Sequence, residues 1–291
     1  MTRAWFLVLR LWSLTATTVP VTVGAALAAC DGRFSWRLMT LTLFSGWLLQ
    51  IATNLLNTYG DFLSGVDTVQ SQPTAPQLVD GTLRPAAVFR AGVAALLLGA
   101  ALGVWAAALS DWRLLWFALA GVAGAGFYTT GLRFKYSGFA LPPVMLLAGT
   151  LMVAAEYFAQ TRTLTWPALA VSLPITCHVG TILHGNDLRD MASDRRAGIA
   201  TTSLLLGPRV AGPLYIALHA LPFLILAVCV AVRLLPVWTL LAFLTLPLAV
   251  NAIRASLRGE TRSLEGRGAG IHFLFGILLT LGLVLAHLIR P

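Results

Sequence analysis

Apolar residues run in long, nearly unbroken stretches along this chain, and polar residues gather in the gaps between them. Nine such stretches stand out, at 11–29, 37–57, 86–109, 112–131, 138–159, 166–184, 211–231, 235–253 and 269–289. About 20 apolar residues is the length a helix needs to cross roughly 30 Å of hydrocarbon. None of the stretches shows the two-residue alternation of a membrane barrel strand. The pattern predicts an all-α polytopic membrane protein: a single nine-helix membrane domain over residues 1–291, bundled around a central cavity that opens to the cytoplasmic side and the lipid. Met1 to Arg10 leads into the first stretch without a small-residue cleavage pattern, so no cleaved signal is expected.

Composition sharpens this reading. Hydrophobic residues make up 58% of the chain and charged residues 11%, against about 25% charged in an average soluble domain. A net charge of +9 would suit nucleic acid, but the basic residues flank the apolar stretches. With an inside N-terminus, Arg33, Arg37, Arg113, Arg162, Arg233 and Arg290 fall outside, and the other Lys and Arg fall inside. Positive charge marks the cytoplasmic side, which also receives the longer connections 58–85, 185–210 and 254–268. The expected partner is therefore membrane lipid and not nucleic acid, with a multi-pass chain in the cell inner (plasma) membrane. Cys30, Cys177 and Cys229 lack metal-ligand spacing and read as small apolar residues.

Against this background the acids carry the chemistry. The chain holds 11 Asp and Glu, and more than half of them (Asp61, Asp67, Asp80, Asp187, Asp190 and Asp194) lie in or beside two segments where apolar stretches end. Ionisable groups at such boundaries are costly to desolvate and mark functional sites. Asn54, Asn57 and Asp61 follow an i, i+3, i+7 spacing, and Asp187, Asp190 and Asp194 repeat it, which puts each set on one face of a helix. Like charges so close repel unless a cation neutralises them. Two such faces converging would hold metal ions, and Mg²⁺ suits a few carboxylates together with phosphate oxygens. Asp80, in Val79-Asp80-Gly81-Thr82, reads as a turn residue. Glu156 reads as reaching the far interface, Tyr136 as an interface anchor, and His184 as a supporting partner of Asp187. His178, His219, His272 and His287 show no pairing that demands metal.

Two segments resemble the motifs of the UbiA superfamily of intramembrane prenyltransferases. The first, Asn57-Thr58-Tyr59-Gly60-Asp61 followed by Gly65-Val66-Asp67, is most similar to the MenA-like branch, which prenylates 1,4-dihydroxy-2-naphthoate in menaquinone synthesis. The second runs Asn186-Asp187-Leu188-Arg189-Asp190 through Asp194-Arg195-Arg196-Ala197-Gly198. Further echoes are Tyr128 with Lys135-Tyr136-Ser137-Gly138, and Ile271-His272-Phe273-Leu274-Phe275-Gly276. Thr58 stands where the family's first Asp is expected, and Ile199-Ala200 where the naphthoate branch usually has a base before Thr.

The resemblance implies transfer of a polyprenyl group from polyprenyl diphosphate to an aromatic acceptor, with Mg²⁺ as cofactor. It implies catalytic Asp61, Asp67, Asp190 and Asp194, which with Asn57 and Asp187 would hold the metal. Asn54, Asn57, Tyr128, Arg133, Lys135, Arg189 and Arg195 would bind substrate; Arg195 and Arg196 serve equally as orienting charge. Two other readings keep the fold: a transferase for another aromatic acceptor, and a membrane terpene cyclase. A secondary transporter is the rival from another class, although its polar residues should lie deep in several spans.

Overall fold

A computed structural model describes residues 2–69, 75–129 and 131–289. Residues 70–74, inside the first long connection, and Arg290, assigned to the outer side, lie outside the described residues. The helices are α1 (Thr2–Leu9), α2 (Thr15–Cys30), α3 (Trp36–Leu63), α4 (Pro85–Leu109), α5 (Leu114–Phe127), α6 (Leu141–Met145), α7 (Met152–Thr161), α8 (Trp166–Ala197), α9 (Thr202–Leu206), α10 (Pro208–Ala231), α11 (Leu246–Leu257) and α12 (Leu264–Leu288). A π-helical turn, Leu146–Leu151, joins α6 to α7, and a 3₁₀ stretch, Val237–Thr245, leads into α11. No strand occurs among the described residues, where a single isolated bridge pairs Ser137 with Ala200.

Eight helical stretches among the described residues are long and apolar enough to cross a membrane. At the remaining expected span, 112–131, α5 has 14 residues and reaches about 21 Å at 1.5 Å per residue. The largest core cluster joins α2, α7, α8, α10 and α12 through Val23, Tyr157, Ile175, Phe223, Phe275 and Leu279. Large apolar side chains such as Trp116, Leu119, Leu224 and Leu244 point outward, as they do where the surroundings are lipid. All three cysteines are buried in this apolar interior.

Local chemistry explains the ends that shape the site. Ser35 caps α3, its Oγ accepting from the Leu38 amide at 3.4 Å, and the helix then runs unbroken through the first acidic segment to Leu63. Gly198 stops α8 in a left-handed conformation, φ 69°, after the second acidic segment. The acidic segments expected at the start of loops are therefore the last turns of long helices, with Asp67 alone of the metal candidates in a connection. Backbone bonds inside α3 and α8 continue past the apolar stretch, because those turns pack against other connections.

One such contact joins the α5–α6 connection to the α8–α9 connection. Besides the Ser137–Ala200 bridge, the Thr202 hydroxyl donates to the Gly138 carbonyl at 3.2 Å. Gly138 has φ 75°, a left-handed conformation that favours glycine, and a Cβ there would push aside the exposed Leu205 side chain.

Candidate active site

Asp61 sits in the last turn of α3, 4% exposed, and its carboxylate is surrounded by donors. Lys135 Nζ lies 2.9 and 2.7 Å from its two oxygens, the Tyr136 hydroxyl donates at 2.5 Å, and Asn57 Nδ2 donates at 2.8 Å. Asn57 reaches it because the two are one helical turn apart. Lys135 and Tyr136 reach it because the connection carrying them is docked by Gly138 and the bridge to Ala200. Tyr136 is thus a site residue and not the interface anchor its position suggests; burial, then the Asp61 charge, holds its hydroxyl well above the usual phenol range.

The second segment meets the first here. Asp187 and Asp194 are buried on α8, 7% and 8% exposed, and Asp190 lies between them in sequence. Asp61 acts electrostatically on Asp194, and Asp190 acts on Asp67, so charges from the two segments share one site. Lys135 lies among them: its charge is felt by Asp67, Asp187 and Asp194 as well as by its partner Asp61. Asp67, held by its amide to the Asp61 carbonyl at 3.1 Å, has its carboxyl pushed up to about 6. Burial is the main cause, followed by the like charge of Asp61, with Lys135 and Arg10 pulling the other way. Tyr128 faces both segments; burial and the charges of Asp187 and Asp61 raise its hydroxyl far above the ordinary range.

Arg189 is committed to acids. Its Nε and Nη2 clasp Asp190 at 2.8 and 2.7 Å, and its Nη1 bonds Glu265 of α12. Asn186 adds a bond to the same Glu265 oxygen at 3.3 Å. The close approach is set by Gly185, where a Cβ would lie 2.9 Å from the Glu265 nitrogen. Glu265 was not anticipated, although a carboxylate opening the last helix of so acid-poor a chain was a signal for it.

Other expected residues are placed differently. Asn54 turns to the N-terminal segment, donating to the Leu9 carbonyl and to Ser13 Oγ, both at 2.9 Å. Arg133, Arg195 and Arg196 are exposed. His184 does not support Asp187: its Nε2 pairs with the Ala211 carbonyl at 2.7 Å and its Nδ1 with Ser203 Oγ at 3.3 Å, which tie α8 to α9 and α10. Asp80 forms the expected turn, accepting from the Thr82 amide at 2.8 Å. Glu156, expected at the far interface, is 1% exposed, bonded by Thr42 and Gln160 at the edge of a cavity of about 100 Å³. His178, His219 and His272 meet deep in the bundle, with His178 6.5 and 6.4 Å from the other two rings. They come from α8, α10 and α12, so spacing along the chain could not bring them together.

No group of three or more His, Cys, Asp or Glu among the described residues is drawn tightly enough to form a metal centre. The donor set nonetheless fits a hard divalent cation: carboxylate and amide oxygens, in an excess of negative charge that Lys135 alone does not balance. The expected candidates Asp61, Asp67, Asp187, Asp190 and Asp194, with the Asn57 amide oxygen, supply donors of that kind.

A lipid-embedded helical bundle with acids from two helices gathered at one end defines a polytopic membrane enzyme handling a charged substrate at the membrane boundary. The sequence profile of the UbiA prenyltransferase family matches residues 17–277. UbiA prenyltransferase domain-containing protein 1 of Gallus gallus is 32% identical over 287 residues, covering 97% of this chain and 85% of that protein. The 1,4-dihydroxy-2-naphthoate octaprenyltransferase of Bacillus subtilis (strain 168) is 30% identical over 280 residues, covering 94% and 90%. The structure of a UbiA homolog from Archaeoglobus fulgidus bound to GPP and Mg²⁺ superposes with a TM-score of 0.66, covering 97% of this chain and 98% of that one at 17% identity. The chain belongs to the UbiA prenyltransferase family, and it is a prenyltransferase.

Proposed function

We propose that this enzyme transfers a polyprenyl group from polyprenyl diphosphate to an aromatic acceptor, 1,4-dihydroxy-2-naphthoate, with Mg²⁺, at the cytoplasmic face of the cell inner (plasma) membrane. The observation that carries the reading is the buried Asp61 at the end of α3, bonded by Lys135 and Tyr136 from a connection that docks through Ser137 and Gly138 onto the segment following the buried Asp187 and Asp194 of α8. The Bacillus relative's name supports the naphthoate acceptor. The distribution of positive charge supports the orientation.

Asp61, Asp67, Asp187, Asp190 and Asp194, with Asn57, would hold the cation, which when bound would neutralise charge on the departing diphosphate. Lys135, paired with both oxygens of Asp61, presents an ammonium to the phosphates. Arg189, gripped by Glu265, fixes Asp190. The bond between the allylic C1 and the diphosphate oxygen breaks, diphosphate leaves with the electron pair, and the ring carbon of the acceptor bonds to C1. At a naphthoate, that ring carbon then loses its carboxyl group as CO₂. Tyr128 and Tyr136, held protonated, present hydroxyls and ring faces to the site without adding charge.

The test offers purified protein Mg²⁺, one polyprenyl diphosphate and a panel of aromatic acceptors, with product analysis. Wild type should form the prenylated naphthoquinol, and Asp61→Ala and Asp190→Ala should each abolish it. Turnover surviving both changes sinks the metal assignment. Diphosphate release without an acceptor, giving a cyclic hydrocarbon, replaces transfer by cyclisation.

A further inference from the structure

The turn between α1 and the 3₁₀ stretch Leu11–Leu14 carries a cation that the sequence reading assigned to orientation alone. Arg10 folds its side chain back onto α3, where Nη2 donates to Thr58 Oγ1 at 3.4 Å. Thr58 is wholly buried, and its own hydroxyl donates to the Asn54 carbonyl at 3.0 Å. The Arg10 Nε is buried and has no hydrogen-bond partner. Arg10 takes part in no ion pair among the described residues, whereas Lys135 and Arg189 are both matched to carboxylates. It nevertheless stands beside the site, since its partner Thr58 adjoins Asn57 and lies three residues before Asp61 on α3.

The segment is fastened in place. Asn54 holds the backbone of Leu9 on one side of Arg10 and the hydroxyl of Ser13 on the other, so the arginine enters the site from a fixed position. A guanidinium brought to a site edge, given one long bond to a neutral hydroxyl and left with an unmatched buried N–H, lacks an anion. Thr58 explains why it stays unmatched. The family motif has an acid at that position, and a carboxylate there would pair with Arg10 in place of the hydroxyl.

We propose that Arg10 is a diphosphate-binding residue: its guanidinium takes phosphate oxygens of the allylic diphosphate, and Thr58 keeps it available by offering no charge. Arginine suits this task because its planar fork meets two phosphate oxygens at once. The inference rests on the transfer reading above and adds to it a cation contributed by the N-terminal segment.

Arg10→Gly and Arg10→Gln test it. Arg10 has a left-handed backbone, φ 51°, which glycine adopts freely, so Arg10→Gly keeps the turn. In detergent with Mg²⁺, the readouts are KM and kcat for polyprenyl diphosphate and the concentration of inorganic pyrophosphate that halves the rate. Both variants should raise KM and the inhibitory concentration about tenfold or more, the loss of a charge-assisted contact. Arg10→Lys should recover part of the loss. Thr58→Asp should raise both quantities likewise, by pairing Arg10 internally. If both variants turn over with wild-type KM and pyrophosphate inhibition, the Arg10 assignment falls while transfer stands. A lowered unfolding temperature with unchanged pyrophosphate inhibition means a structural arginine and also overturns it. If wild type releases no diphosphate from any prenyl donor, the transfer reading itself falls, and this inference with it.

Discussion

Lys135→Met removes the ammonium from the centre of the acidic site while leaving its hydrocarbon stem. Lys135 contacts both oxygens of Asp61, and the two side chains are 22% and 6% exposed. Breaking a buried ion pair from one side costs about 3–5 kcal/mol, because a desolvated charge is left behind. Two features place this case lower. Lys135 is partly solvated, and Tyr136 and Asn57 continue to donate to Asp61. We expect a loss of about 2–3 kcal/mol, in the range of a hydrogen bond to a charged group. The measurement is equilibrium unfolding in mixed micelles with increasing SDS, followed by fluorescence of the 9 Trp. Asp61→Asn and the double variant complete a cycle, since contacting residues share a coupling of about 0.5–3 kcal/mol. In Asp61→Asn the charge that makes removal of Lys135 costly is gone, so Lys135→Met should then cost far less. Additivity of the two single effects to within about 0.5 kcal/mol would refute the claim that Lys135 holds Asp61.

Other outcomes follow from the same geometry. Gly185→Ala should destabilise the bundle by about 1–3 kcal/mol by forcing α8 from the backbone of Glu265, and an unfolding midpoint equal to wild type would contradict that close approach. Glu156→Gln should keep turnover, because Thr42 lies about five helical turns, roughly 28 Å, from Asp61 along α3. Glu156→Leu should cost only about 1–2 kcal/mol by removing two hydrogen bonds, because Thr42 keeps the Leu38 carbonyl and Gln160 keeps the Ser35 backbone, with micellar unfolding as the check. Asp67, raised from 3.8 to about 6, favours folding while protonated: its contribution is full below about pH 4 and lost as pH rises through about 6. A divalent cation must displace that proton. The Mg²⁺ concentration giving half-maximal rate should therefore fall as pH rises through about 6, and Asp67→Asn should flatten the dependence.

Eight of the nine expected membrane helices were legible because their signal is one of length and hydropathy, whereas at 112–131 the helix among the described residues is the 14-residue α5. The i, i+3, i+7 sets were legible for a similar reason: Asp61 and Asp187, Asp190 and Asp194 needed the helix merely to continue, and it does, through Leu63 and Ala197. What lay hidden were partners supplied across the bundle. Tyr136 looks like an interfacial tyrosine until the docked α5–α6 connection turns its hydroxyl onto Asp61. Glu265 acquires its role from the contact between α8 and α12. Glu156 sits near the end of an apolar stretch, yet Thr42 and Gln160 offer it hydrogen bonds inside the bundle, so it has no need of the interface. Arg10 counted as an orienting charge because it precedes an apolar stretch, and no pattern along the chain reveals that Asn54 folds that turn back onto α3.

The placement of the acids at helix ends has an electrostatic consequence of its own. Asp61 and Asp194 occupy the last turns of α3 and α8, where the helix dipole already places a partial negative charge. The last turn of α3 has no Lys or Arg to offset it, and in α8 Arg195 and Arg196 are exposed while Asp194 is buried, so side chains and backbone together concentrate negative potential on the site. Asp67 and Asp187 add to it, and of the nearby cations Arg189 is already engaged by Asp190 and Glu265. Such a site repels a naked diphosphate and attracts a divalent cation. A substrate whose head is anionic can then settle only where positive charge has been imported or held in reserve. Lys135 meets Asp61 from one connection and Arg10 stands on Thr58 from another, so positive charge is brought to adjacent positions on α3's final turns, with Arg10 the one not matched to a carboxylate among the described residues.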